Sequence, residues 1–472
     1  MSPGGAASFR PETFPTSQYH VTSRRWNSYA SSPTTIDTST RLQDEPDDRR
    51  DAARRIYILG SGSVGKMLAF YLRTIPDPPP VTLLFHKPSI LRKWNAAGKQ
   101  ITLQARGVTE KMDGFDVEMA MPKRREHGIE IDYEKDYMRT FIPPSTVEPG
   151  YLKTFVDVEY SAPRGLGAQS QEPINNLIVT VKAPATLSAI SAVRHRLSRD
   201  STIAFLQNGM GQTDEVSREL FPEEETRPSY IQGIISHGVS SPDPFVVNHN
   251  GTGTIQLGLM PRPDGIATPN PSPNVDHSIP MDKPSAWAKS ARYILRTITR
   301  TPALCAIGLS PPDIQTAQLE KLAINCLVNP LTGLLDVRNG GLLSNYHLTR
   351  TMRLLLSEIS LIIRSLPELQ GLPNLNTRFA PDRLEAMTMR VASMTKHNVS
   401  SMLADVRRGN QTEIQYLNGY IVQRGEEMGV RAVMNYMVMT MIKGKTAVVE
   451  REREEEVGVL RPEDEVRHSS GE

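Results

Sequence analysis

Ten residues near the start of the chain constrain its fold more than any others. Ile56-Tyr57-Ile58-Leu59-Gly60-Ser61-Gly62-Ser63-Val64-Gly65 is a short apolar strand running straight into G-x-G-x-x-G. Each glycine has a task in such a unit. Gly60 allows the tight turn, Gly62 lets the backbone approach a pyrophosphate, and Gly65 lets the next helix pack against the strand. The helix expected over Lys66–Leu72 would hold phosphates with its N-terminal amides and dipole. Gly60, Ser61, Gly62, Ser63, Val64 and Gly65 are therefore a candidate dinucleotide-binding loop. The competing explanation is a turn that merely needs small residues.

A chain of 472 residues has room for two domains plus insertions. Its 54 basic and 52 acidic residues give a net charge of +2, which argues against nucleic-acid binding. Two cysteines, Cys305 and Cys326, exclude a disulfide framework or a cysteine-built zinc site and suit a reducing compartment. No apolar run approaches the roughly 20 residues that span a bilayer. The expectation is a soluble intracellular protein without a metal. Met1 to Ile36 is rich in Ser and Thr, carries Arg10, Arg24 and Arg25, and has Glu12 as its only acid. A mitochondrial presequence has that composition, and so does a plain disordered tail of a cytoplasmic protein.

Val81–Phe85 reads as the second strand of the nucleotide unit. An acid at its end would bind the free 2′-hydroxyl of NAD. This chain places His86 and Lys87 there, with Arg92 and Lys93 close behind, and cations at that point favour the 2′-phosphate of NADP. A solvated loop lysine is the bland alternative. Strands are expected over 176–182, 202–206 and 230–236, with an edge strand over 254–258 and a helix over 184–197. Lys182 and Asn208 fall just past strand ends, where open α/β sheets bind ligands. From about residue 287 the periodicity is almost wholly helical. On the helix Thr316–Pro330, Lys321, Asn325 and Asn329 recur every four residues and share one face among apolar neighbours. Such a polar stripe needs partners, from a ligand cleft or from a structural network. A later stretch, 398–419, sets hydroxyls and acids among apolar residues.

Four blocks in this order carry a family resemblance: the glycine loop, QNGMG at 207–211, KLAINCLVNPLTGLL at 321–335 with RNGG at 338–341, and SSMLADVRRGNQTEIQYLNG at 400–419. The chain resembles the ketopantoate reductases (2-dehydropantoate 2-reductases) over roughly residues 55–101 and 174–443. The resemblance implies an α/β fold, a Rossmann domain followed by an all-helical C-terminal domain of the 6-phosphogluconate-dehydrogenase type. The expected organisation is a disordered leader over 1–54, a Rossmann NADP-binding domain over 55–300 with insertions near 103–173 and 261–284, a helical substrate and dimer domain over 301–445, and a charged tail over 446–472. It also implies NADPH-dependent reduction of ketopantoate to (R)-pantoate, on the route to pantothenate, with a homodimer through the helical domain. Lys321 matches the family's proton donor. Asn325, Asn329, Asn339, Asn398 and Ser401 fall on substrate-binding positions. Asn208 matches the asparagine between nicotinamide and substrate, and Glu413 matches a carboxylate near both, which would bond the substrate hydroxyl or orient Lys321. Lys182 and Val239 match cofactor contacts. The family often has an arginine where this chain has His86, and Lys87 would contact a phosphate without the bidentate fork.

Two alternatives stay open at this level. One is a reductase of another branched 2-oxo acid. The other is a non-catalytic scaffold or regulatory relative, whose insertions would be its working surface.

Overall fold

The two faces of one short strand organise the N-terminal half. In β1 (Ile56–Leu59), which follows a helix over Asp47–Arg54 (α1), Ile56 and Ile58 point into one apolar core and Tyr57 and Leu59 into another. A strand buried on both faces is the mark of a parallel sheet sandwiched between helices. The structure is a computed structural model describing residues 47–121, 124–126, 129–131, 170–261 and 288–456. The readings on residues 1–46, most of the 103–173 insertion, the loop from 262 to 287 and the end of the charged tail lie outside the described residues.

The chain continues through α2 (Ser63–Leu72), β2 (Val81–Phe85), α3 (Pro88–Ala96), β3 (Ile101–Ala105), β4 (Val108–Met112), β5 (Asp116–Met119) and the short pair β6 (Arg124–Glu126) and β7 (Ile129–Ile131). It resumes with β8 (Asn176–Val179), α4 (Thr186–Ser191), β9 (Thr202–Phe205), α5 (Gln212–Leu220), β10 (Ser229–Ile235), β11 (Gly238–Ser240), β12 (Val246–Gly251) and β13 (Ile255–Leu259). After the second undescribed loop come α6 (Lys289–Thr299) and β14 (Ala306–Gly308). The main sheet runs β14-β13-β10-β9-β8-β1-β2-β5. β1 pairs in parallel with β2 on one side and β8 on the other, so the order of strands reverses beside β1. That reversal opens a crevice at the carboxyl ends of β1 and β8. Met67 of α2 and Ile294 of α6 fill one face, and Ile190 of α4 and Val216 of α5 fill the other. A second sheet, β11-β12-β3-β4, packs on α2.

The C-terminal half is helical: α7 (Pro311–Leu335), α8 (Tyr346–Ser365), α9 (Leu375–Arg378), α10 (Pro381–Met394), α11 (Ser401–Arg407), α12 (Asn418–Glu427) and α13 (Val433–Glu456). The Ser310 side chain caps α7 by accepting the Asp313 amide, and Asp336 ends it in the left-handed region. Leu322, Cys326 and Leu327 of α7 lie in a core with Leu355, Ile359 and Ile362 of α8 and Ile442 of α13. Each such side chain contributes about 1.5–3 kcal/mol relative to exposure. The expected α/β Rossmann unit followed by a helical domain is what the chain forms.

Several local expectations need correction. Residues 47–54 of the leader are helical. The helix expected over 184–197 is broken, because the turn at Arg194–Arg196 draws the Arg196 guanidinium inward to Glu118 Oε2 at 2.7 Å and to the Glu172 carbonyl at 2.6 Å. The strand near 254–258 is internal; it pairs with β10 and with β14, and β14 carries the sheet beyond residue 300. In the tail, α13 continues to Glu456.

Candidate active site

The glycine turn has the shape its sequence requires. Gly60 has φ +121°, and a Cβ there would come within 2.6 Å of the Val181 nitrogen. A Cβ on Gly65 would meet the Gly60 carbonyl oxygen at 2.0 Å, which fixes how closely α2 packs. A Cβ on Gly62 would enter open space. The first turn of α2 carries no acid, and no side chain caps it. Open space before the amides of an uncapped helix suits a phosphate group, so these residues fit a dinucleotide. Ser61, Ser63 and Val64 are half-buried around the turn. His86 and Lys87 are exposed at the end of β2, and Val239 is half-buried on β11.

The helical half meets this crevice through the segment 405–416. Glu413 is buried; its Oε1 accepts the Ala183 amide at 3.1 Å and its Oε2 accepts the Asn208 side-chain amide at 3.4 Å. Three residues on, the Tyr416 carbonyl accepts the Met210 amide at 2.9 Å, and its hydroxyl donates to Glu215 at 2.8 Å. Gly209 has φ +84°, and a Cβ on it would lie 2.6 Å from the Tyr416 carbonyl oxygen. The QNGMG loop is thus shaped to fit against the helical half as well as to end a strand.

Lys321 projects from α7 to the end of β10, where Nζ donates to the Ile235 carbonyl at 2.7 Å. Desolvation lowers its pKa to about 8, and the negative charge of Glu413 opposes that fall. A lysine, a carboxylate and an asparagine therefore converge where β8, β9 and β10 end. On the rest of the stripe, Asn325 is half-buried and Asn329 buried. Asn339 is buried, with Nδ2 donating to Thr395 Oγ1 at 2.9 Å and its amide donating to the Asn398 carbonyl at 3.1 Å. Asn398 and Ser401 have exposed side chains at the start of α11. Its neighbour Ser400 is the buried cap, accepting the Leu403 amide at 3.1 Å and the Thr332 hydroxyl at 2.7 Å.

One participant was not singled out from the sequence: Asp405 of α11, which pairs with Lys182, just past β8, at 2.5 Å. The local signal was one buried acid between Ala404 and Val406 in the sequence.

With this geometry in place, comparison decides the family. Residues 56–262 match the pattern described as ketopantoate reductase PanE/ApbA, and residues 313–446 match its C-terminal counterpart. The chain belongs to the ketopantoate reductase family. It is 28% identical to a probable 2-dehydropantoate 2-reductase of Schizosaccharomyces pombe, over 83% of this chain and 96% of that one. It is 25% identical to the ketoisovalerate reductase of Beauveria bassiana, over 85% of this chain and 88% of that one. Among solved structures, a D-mandelate dehydrogenase with NADH and anilino(oxo)acetate shares the fold at a TM-score of 0.59 and 15% identity, over 84% of this chain and 99% of that one. A probable 2-dehydropantoate 2-reductase from Bacillus subtilis shares it at 0.52 and 22% identity, over 83% and 99%. The two family matches leave out the residues between 262 and 313, where the undescribed loop falls.

Proposed function

We propose that this protein reduces ketopantoate (2-dehydropantoate) to (R)-pantoate with NADPH. The observation that carries the reading is the Lys321 ammonium, held at the carboxyl edge of the sheet with its pKa lowered to about 8 and Glu413 acting on its charge. When bound in the crevice of β1 and β8, the cofactor supplies a hydride. The remaining work falls to the side chains. As the C2 ketone oxygen gains negative charge, Lys321 hydrogen-bonds it and gives it a proton. A pKa near 8 lets the lysine donate that proton and recover another near neutral pH. Asn325 and Asn329, one and two turns further along α7, supply donors for the substrate carboxylate. Glu413 bonds the substrate hydroxyl or orients Lys321, and Asn208 lies between the nicotinamide and substrate positions. Lys182 and Val239 line the cofactor's path, and Lys87 faces the 2′-phosphate.

The ketoisovalerate reductase from Beauveria bassiana among the relatives keeps a second substrate in view, a branched 2-oxo acid lacking the hydroxyl. The deciding experiment follows NADPH oxidation by absorbance with ketopantoate and with 2-oxoisovalerate, using Lys321→Ala as control. Lysine-dependent turnover on ketopantoate supports the proposal. Faster turnover on 2-oxoisovalerate moves the assignment to that acid. Tight NADPH binding without turnover on either leaves the scaffold reading.

A further inference from the structure

The Lys182–Asp405 pair joins the two halves of the molecule beside the crevice of β1 and β8. Its members are unequally enclosed: 48% of the lysine side chain is exposed but only 7% of the aspartate. Desolvation pushes the Asp405 carboxyl above its ordinary value, and the Lys182 ammonium is the largest opposing influence, followed by Arg408 and Asn410. A carboxylate buried to this degree depends on its cation, and here that cation belongs to the other half. The backbone beside Lys182 is fixed from the same side, since Glu413 accepts the Ala183 amide. One segment of the helical half thus holds both the main chain and the ammonium at this strand end. A free lysine side chain loses rotamer freedom when a ligand immobilises it, and the ion pair with Asp405 takes that loss in advance.

We propose that Asp405 is a positioning residue: it presets the Lys182 ammonium at the crevice of β1 and β8, so that the helical half raises affinity for the anionic cofactor without touching it. The proposal rests on the reading of Lys182 as a cofactor contact. The test uses the full chain and four variants: Asp405→Asn, Asp405→Glu, Lys182→Met and the double Asp405→Asn/Lys182→Met, which leaves no buried charge without a partner. NADPH Kd, the kcat and KM of turnover, and Tm are measured for each. Asp405→Asn should raise the NADPH Kd about tenfold, with the loss in cofactor KM rather than in kcat, and Asp405→Glu should recover most of it. The double variant should bind no more weakly than Lys182→Met alone, because the aspartate acts through the lysine. An unchanged Kd with a lowered Tm in Asp405→Asn, while Lys182→Met weakens binding, overturns the role of Asp405 alone. An unchanged Kd in Lys182→Met overturns the cofactor reading of Lys182, and this proposal with it.

Discussion

The Lys321 ammonium donates to the carbonyl of Ile235 at 2.7 Å, so the lysine of the helical half rests on the last residue of a sheet strand. The contact gives the charge a partner without neutralising it, and the surrounding desolvation leaves the pKa near 8.

With Lys321 as the proposed proton donor, turnover should fall as pH rises through about 8. The Glu413 carboxylate raises the Lys321 pKa, so Glu413→Gln should move that alkaline limb to lower pH as well as slowing the reaction. A pH profile of kcat for both proteins decides it; a limb displaced upward would sink the assignment. Lys321→Ala should lose about 10²–10⁴ in kcat with NADPH Kd nearly unchanged.

Lys66 is a second lysine with a pKa lowered to about 8, by burial alone. It follows Gly65 directly, yet its ammonium donates to Ser241 and lies 5.7 Å from the centre of the Phe245 ring. Its folded value is below its unfolded one, so the unfolded chain binds the extra proton. Stability contributed at this site should therefore rise between about pH 8 and about 10.5. Lys66→Met should abolish that rise and stabilise the protein near pH 7 by about 1–3 kcal/mol, as read by urea unfolding across the pH range.

Pro330 lies inside α7 and lacks the amide that would bond the Cys326 carbonyl one turn earlier. Asn418 Nδ2 donates to that carbonyl at 3.0 Å and to Asn435 Oδ1 at 3.0 Å, and Asn435 Nδ2 donates to Glu358 at 2.8 Å. Asn418→Leu should destabilise the fold by about 1–3 kcal/mol, the cost of orphaning buried polar groups. In a Pro330→Ala background the restored amide should reduce that loss. Equal losses in both backgrounds would show that Asn418 does not stand in for the missing amide.

At the end of β2, desolvation and the neighbouring Lys87 both lower the pKa of His86, which makes Lys87 the better cation of the two for a phosphate. Lys87→Ala should weaken NADPH about tenfold and NADH much less. Titrations with both cofactors check this, and equal losses would remove Lys87 from the 2′-phosphate.

What the sequence disclosed follows from the range of each interaction. The glycine turn and the strand Val81–Phe85 are local patterns, and the stripe of Lys321, Asn325 and Asn329 needs only helical periodicity, so all were legible. The break at Arg194–Arg196 was not, because Glu118 enforces it from a distant strand. The internal place of β13 depends on β14, a three-residue strand with no periodicity to read. Asp405 was missed for the same reason: its significance lies in Lys182, more than two hundred positions earlier.

The grip of residues 405–416 on the strand ends bears on how such proteins can be recombined. A chimera joining the nucleotide half of this chain to the helical half of a relative would have to reproduce these contacts across the join. The Tyr416 carbonyl needs a glycine opposite it at position 209, and the Asp405 carboxylate needs a lysine at 182. An exchange that replaces Gly209 or Lys182 should therefore cost stability unless 405–416 is exchanged with it, which makes these two distant stretches one unit for recombination.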